Sequence, residues 1–131
     1  MSQAPNSKQY DLEPRTFEFA RMVRDFVKKL PRTIANTEDG KQVIRSSGSI
    51  GANYIEANEA LSKKDFIMRI KICRKEAKES EYWLRLFDVN ENLASECATL
   101  AKEAMELRKI FGSIVQKSKP PRKSFWGKNI S

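Results

Sequence analysis

Residues 62–87 read SKKDFIMRIKICRKEAKESEYWLRLF, and this stretch decides the fold. Phe66, Ile70, Cys73, Ala77, Ser80, Leu84 and Phe87 recur at strict 4-3-4-3-4-3 spacing. That spacing lines them up on one side of a helix as a coiled-coil-like seam. Lys64, Lys71, Lys75, Lys78, Tyr82 and Arg85 take the face away from the seam. At about 100° per residue these six fall within about 80° of one another. Ser62-Lys63-Lys64-Asp65 resembles a capping box, with Asp in place of the usual Glu, and starts the helix.

Upstream, Arg45–Ala57 reads RSSGSIGANYIEA, helical in period but built from small residues. Ile44, Ser47, Gly51 and Tyr54 share one face, with Val43, Ile50 and Ala57 beside them, which predicts a second helix over about 41–58. Each glycine inside a helix costs about 1 kcal/mol relative to alanine. Gly48 and Gly51 therefore call for a compensating gain, and close helix–helix approach is the simplest one. A phosphate-binding loop is excluded because the Gly-Lys-Ser/Thr ending and a preceding strand are both missing. Asn36-Thr37-Glu38-Asp39-Gly40 reads as a turn cluster. Before it, Phe19, Val23, Phe26 and Leu30 mark a first helix over 14–30, entered through Pro14 and ended by Pro31.

Downstream, a turn at about 89–93 leads to a fourth helix over about 94–116. Its stripe is Cys97, Ala101, Ala104, Leu107, Phe111 and Ile114. Lys119-Pro120-Pro121-Arg122-Lys123 cannot continue it. The expected architecture is all-α: an antiparallel up-down-up-down four-helix bundle over 14–116. A flexible segment, 1–13, precedes it, and a basic, disordered tail, 117–131, follows. In such a bundle Cys97 sits near the height of residue 86, some 13 residues or about 20 Å from Cys73. A disulfide needs Cα atoms within about 7 Å, so both thiols are expected as small core residues.

Composition narrows the function. The net charge is +8 over 131 residues, and the tail supplies much of it through Lys117, Lys119, Arg122, Lys123 and Lys128 with no acid. A basic tail and a basic helix face suit a polyanion, RNA or DNA. The candidate contacts are Lys64, Lys71, Lys75, Lys78, Tyr82 and Arg85 on the third helix and Lys119, Arg122, Lys123 and Trp126 in the tail. Tyr82 and Trp126 would stack on bases. The competing reading is a solvated helix face and a solubilising tail. The chain has no histidine, which removes His-activated nucleophiles and the Glu-x-x-His ligands of di-iron bundles. Glu56, Glu59, Glu76 and Glu79 could cluster between helices two and three, but charged surfaces explain them more simply, and Lys75–Glu79 and Glu81–Arg85 fit as i,i+4 pairs. No catalytic residue, cofactor site or metal ligand is nominated, so the expectation is a protein that is not an enzyme. With no apolar run of about 20 residues and no signal core in MSQAPNSKQYDLEP, a cytoplasmic protein without a membrane partner is expected. Phe17, Met22, Tyr54, Tyr82 and Trp83 lie at the margins of their stripes. They point to a subunit interface or to a wide core face.

The ordered combination RSSGSIGANYIEA, SKKDF and KEAKESEYWLRL resembles the small four-helix-bundle proteins encoded in intervening sequences of bacterial 23S ribosomal RNA genes. The resemblance covers about residues 17–116. It implies a bacterial, cytoplasmic homo-oligomer, plausibly a five-membered ring, of unknown biochemical function. It also implies kinship with the accessory variability protein of diversity-generating retroelements, a basic pentameric bundle that binds a reverse transcriptase and nucleic acid. The matching positions, among them Arg45, Ser49, Asn53, Glu56, Asp65, Glu76, Trp83 and Leu84, read as structural. Two functional expectations follow. The first is weak, non-specific RNA or DNA binding by a homo-oligomer. The second is a scaffold that docks a protein partner through its apolar margins and the Phe125-Trp126 tail.

Overall fold

The computed structural model describes residues 11–118. The first ten residues and the tail from Lys119 onward lie outside the described residues, and with them the candidates Lys119, Arg122, Lys123 and Trp126. Four helices follow in order: α1 Leu12–Lys28, α2 Ile34–Asn58, α3 Lys63–Leu86 and α4 Glu91–Ser118. Consecutive helices pack on one another and α4 returns to α1, which closes an antiparallel four-helix bundle. Among the described residues there is no strand, and no helix is long and apolar enough to cross a membrane.

The seams are those the spacing predicts. Phe19, Val23, Phe26 and Leu30 of the first stripe are buried, and so are Ile70, Cys73, Ala77, Ser80, Leu84 and Phe87 of the third, with Phe66 packed at its end. On α4, Val115 is buried and Ile114 stands at the margin, because Val115 follows Phe111 by four residues and takes the next core position of the 3.6-residue period. Phe26 and Phe87 meet edge to face at 5.9 Å, tying α1 to the end of α3. Ser62 accepts the Asp65 N–H as the capping pattern requires.

The helix bounds differ from expectation where polar residues found other uses. Residues 36–40 are helical, not a turn. Thr33 caps α2 by accepting from the Asn36 N–H, so the helix begins at Ile34. Asn36 is buried. Its Nδ2 donates to the carbonyls of Pro31 and Asp88, and its Oδ1 accepts from the Asp88 N–H. One side chain thereby straps together the two connections at that end of the bundle. Gly40 is also buried, with Val27 Cγ1 only 3.0 Å from where a Cβ would stand. Helix α1 starts at Leu12, two residues before Pro14, and ends at Lys28 ahead of Leu30 and Pro31. Helix α4 starts at Glu91, three residues before Ala94, where Asn90 accepts the Leu93 N–H, and it runs to Ser118.

The small residues of α2 serve two neighbours. Toward α3, the buried Ser46 and Ser80 hydroxyls share a 2.8 Å hydrogen bond, and Ser80 also donates to the Glu76 carbonyl. Toward α1, Gly51 meets Thr16: a Cβ on Gly51 would lie 2.9 Å from Thr16 Oγ1, which is fixed by donating to the Leu12 carbonyl. Gly48 is different. Its nearest neighbour is the guanidinium of Arg24 at 3.4 Å, the free end of a flexible chain. Close approach therefore accounts for Gly51 and leaves Gly48 without a packing reason. Gly51→Ala should lower the unfolding free energy by about 1–3 kcal/mol through overpacking. Gly48→Ala should raise it by up to about 1 kcal/mol through helix propensity. Urea unfolding of the two variants checks this, and equal midpoints would refute the assignment.

Candidate nucleic-acid interface

Burial of the α3 seam leaves Lys64, Lys71, Lys75, Lys78, Tyr82 and Arg85 exposed along the opposite face. The structure adds what one helix cannot show. Helix α4 lies antiparallel beside α3 and brings Arg108 and Lys109 to the same surface. Together with Lys71, Arg74, Lys75 and Lys78 they line an open groove of about 500 Å³. Its seventh wall residue is Gly112, over which the Arg74 chain lies, with Cδ 3.5 Å from where a Cβ would be. No carboxylate is among the lining residues.

The groove continues past Lys71 toward the end of α4. There Lys63, Lys64 and Lys71 ring Ile67, Met68 and Ser118 around a second depression of about 620 Å³. Met68 stands four residues after Lys64 and three before Lys71, within the cationic face, and it is 47% exposed. At the other end Tyr82, 59% exposed, meets Trp83 at a centroid distance of 5.0 Å and an interplanar angle of 80°.

The ion pairs sort the cations. Arg85 and Arg108 are both held by Glu81, at 3.0 and 3.3 Å. Arg85 is therefore the least available of the candidates. The Glu81–Arg85 pair was expected; the Lys75–Glu79 pair does not form. Glu79 turns instead to Arg45 of α2 at 3.1 Å, alongside the buried Glu76 at 3.3 Å. Lys71, Lys75, Lys78, Arg74 and Lys109 make no ion pair among the described residues. The clamp on Arg45 also accounts for two of the four glutamates considered as a cluster.

The marginal aromatics divide. Tyr54 packs on Phe111 at 5.8 Å, and Trp83 is half-buried against the core, so a wide core face claims both. Phe17 is 63% exposed and Ile55 is exposed on the same flank, while Met22 is exposed on the other side of α1, facing α4. Phe17 and Ile55 wall an open groove of about 750 Å³ between α1 and α2, floored by Gly48, Gly51 and Ala52. Between α1 and α4, Arg15 donates to both oxygens of Glu103, at 2.7 and 2.9 Å. Those hydrogen bonds raise the Arg15 pKa above its ordinary value.

Both cysteines are free and buried, as packing residues would be. Cys73 Sγ donates to the Ile50 carbonyl and Cys97 Sγ to that of Leu84, so the two thiols face different helices. Burial pushes the Cys73 pKa up from 9.0 to about 12 and raises that of Cys97 as well. A thiolate nucleophile is thus disfavoured at either position.

Residues 8–113 match the model of a family described as 23S rRNA-intervening sequence protein. A crystal structure of a protein of unknown function from the S23 ribosomal protein family of Bacteroides thetaiotaomicron aligns with a TM-score of 0.70 and 32% identity. The alignment covers 83% of this chain and 98% of that one. No curated protein matches the chain.

The thiols set a pH dependence. Above pH 9 the unfolded chain releases thiol protons that the native state keeps, so stability falls as pH rises from about 9 toward 12. Cys73 alone contributes a slope of up to about 1.4 kcal/mol per pH unit in that window. Unfolding titrations at pH 9–11 should show a shallower decline for Cys73→Ala than for the parent chain. Identical slopes would mean that the native thiol titrates freely.

Proposed function

The chain belongs to the 23S rRNA-intervening sequence protein family, and from its surface we propose that it is a non-enzymatic bundle that binds RNA or DNA weakly and without sequence specificity. The α3/α4 groove carries this reading: six cations from two helices on one open surface, with no carboxylate in its wall. Lysines and arginines so placed neutralise phosphates and release the counterions condensed on the polyanion. Nothing in the groove resembles a base-reading set of amide side chains, so affinity comes from charge and is the same for many sequences. A solvated lysine face on one helix would not need a second helix to add Arg108 and Lys109 beside it. In sequence Lys119, Arg122 and Lys123 come soon after Ser118, which lines the far end of the groove, and in this reading they add to its charge while Trp126 supplies a stacking ring.

The α1/α2 flank favours a homo-oligomer. Exposed Phe17 and Ile55 stand over a small-residue floor, an apolar spot within a groove that a second copy would cover. A second copy covering that flank would leave the groove on α3 and α4 open and would multiply it, so weak patches would add by avidity. The same flank suits a protein partner in the scaffold reading. Two buried, unpaired thiols accord with a reducing, cytoplasmic setting.

Anisotropy of a labelled oligonucleotide at about 50–200 mM salt tests the groove. Affinity should fall steeply with salt, and Lys75→Ala with Lys78→Ala should flatten the log–log slope by about 1.4, two phosphate contacts at about 0.7 each on a single strand. With no histidine in the chain, binding should hold level between about pH 6 and 8. A salt-independent affinity, or one untouched by the double variant, would defeat the reading. Light scattering should give a mass above one chain, reduced by Phe17→Ser, and a monomer would dismiss the oligomer.

A further inference from the structure

Resting on the nucleic-acid reading of the α3/α4 groove, we infer that its ligand is single-stranded nucleic acid with unpaired bases, not a duplex. The cationic face of α3 is not purely cationic. Its outward residues run Lys64, Met68, Lys71, Lys75, Lys78 and Tyr82, at successive spacings of three or four. Met68 and Tyr82 thus interrupt and end a row of phosphate-binding groups, and both are about half exposed. Ile67 widens the apolar end beside Lys63 and Lys64.

A duplex has little use for these residues. Its base faces are stacked inside, and it presents a row of phosphates that lysines alone would satisfy. An exposed methionine and tyrosine among the lysines would then lie against a charged backbone with nothing apolar to cover. A single strand does the opposite: its phosphates follow the cations while its freed base faces settle on aromatic and apolar side chains. The two apolar stations are fourteen residues apart on α3, or about 21 Å at 1.5 Å per residue. That is about six nucleotides at a per-strand rise of 3.4 Å, with Lys71, Lys75 and Lys78 between them. The Tyr82 ring is already set by its edge-to-face contact with Trp83, so stacking on it orders no free side chain. These side chains accept any base with a π-face and do not separate RNA from DNA.

The test uses the full chain and three probes: a labelled twelve-nucleotide uridine strand, a duplex of equal length, and inorganic polyphosphate as a competitor that carries charge without bases. At about 150 mM salt the single strand should bind at least about tenfold tighter than the duplex. Tyr82→Ala and Met68→Ser should each weaken single-strand binding about fivefold or more and leave competition by polyphosphate unchanged, while Tyr82→Phe keeps the parent affinity. Lys75→Ala should weaken all three probes together. Circular dichroism of each variant establishes that the helices persist, which is expected since both side chains are exposed. Equal affinity for duplex and single strand, or variants that lower polyphosphate binding as much as strand binding, overturns the inference while leaving the groove as a polyanion site. Failure of all three probes to bind removes the groove reading itself, and this inference with it.

Discussion

Helix α3 satisfies two patterns with one helical period, and the rest of the molecule follows from that constraint. The seam of Ile70, Cys73, Ala77, Ser80 and Leu84 must leave water, and Lys71, Lys75 and Lys78 must not. On a helix these sets are fixed on opposite faces, so any packing that buries the first exposes the second. Antiparallel return of α4 then completes the cationic surface, because its own seam points inward and its Arg108 and Lys109 do not.

The α2–α3 contact is polar to an unusual degree for a bundle. Arg45 clamps Glu76 and Glu79, the Ser46 and Ser80 hydroxyls bond in the core, and Arg69 donates to Asn53, which in turn donates to Ser49. The Ser46–Ser80 pair is buried and the Arg45 and Arg69 pairs are partly exposed; such pairs add little net stability over apolar packing, but a slip of α3 against α2 would break each of the bonds that cross between them. We read them as setting the axial register of α3 against α2. Glu76 is 6% exposed and lies 3.3 Å from the Arg45 guanidinium. Register matters to the surface, since a one-turn shift of α3 would move Lys71 and Lys75 by about 5.4 Å relative to the α4 cations.

How much of this was legible in the sequence differs by element. The seams of α1 and α3 could be read outright, because strict spacing of large apolar residues has one helical solution. The start of α2 could not: Asn36 and Gly40 carry turn signals locally, and only the folded chain shows Asn36 bonding Asp88 fifty-two residues away and Gly40 seated on Val27. The cationic stripe was visible, but half of the groove was not. Arg74 falls just outside the stripe on a helical wheel, and Arg108 and Lys109 belong to another helix. Their signal was the bundle register itself. The alignment that sets Cys97 level with residue 86 also sets Arg108 level with Lys75 and Gly112 level with Lys71. Met68 was missed because a lone methionine among lysines carries no charge to enter a count of cations. Phe17 and Ile55 show the reverse case, in which the bundle had no neighbour left to cover them.

Concentrating like charge on one face costs the fold little, for a physical reason. Lys71 and Lys78 lie two turns apart, about 10.5 Å, and the Debye length at physiological salt is about 8 Å. That longer-range repulsion is therefore largely screened by mobile ions, and the neighbouring pairs Lys71–Lys75 and Lys75–Lys78 cost only about 0.2–0.5 kcal/mol each. When a polyanion replaces those ions, the cations gain fixed partners and the released counterions supply the entropy. The apolar groove lies on the other side of the bundle, between α1 and α2. Self-association through one flank and polyanion capture through the other, the two activities proposed, would therefore not compete for any side chain. A bundle of four helices can carry both because the α1/α2 groove and the α3/α4 groove have no lining residue in common.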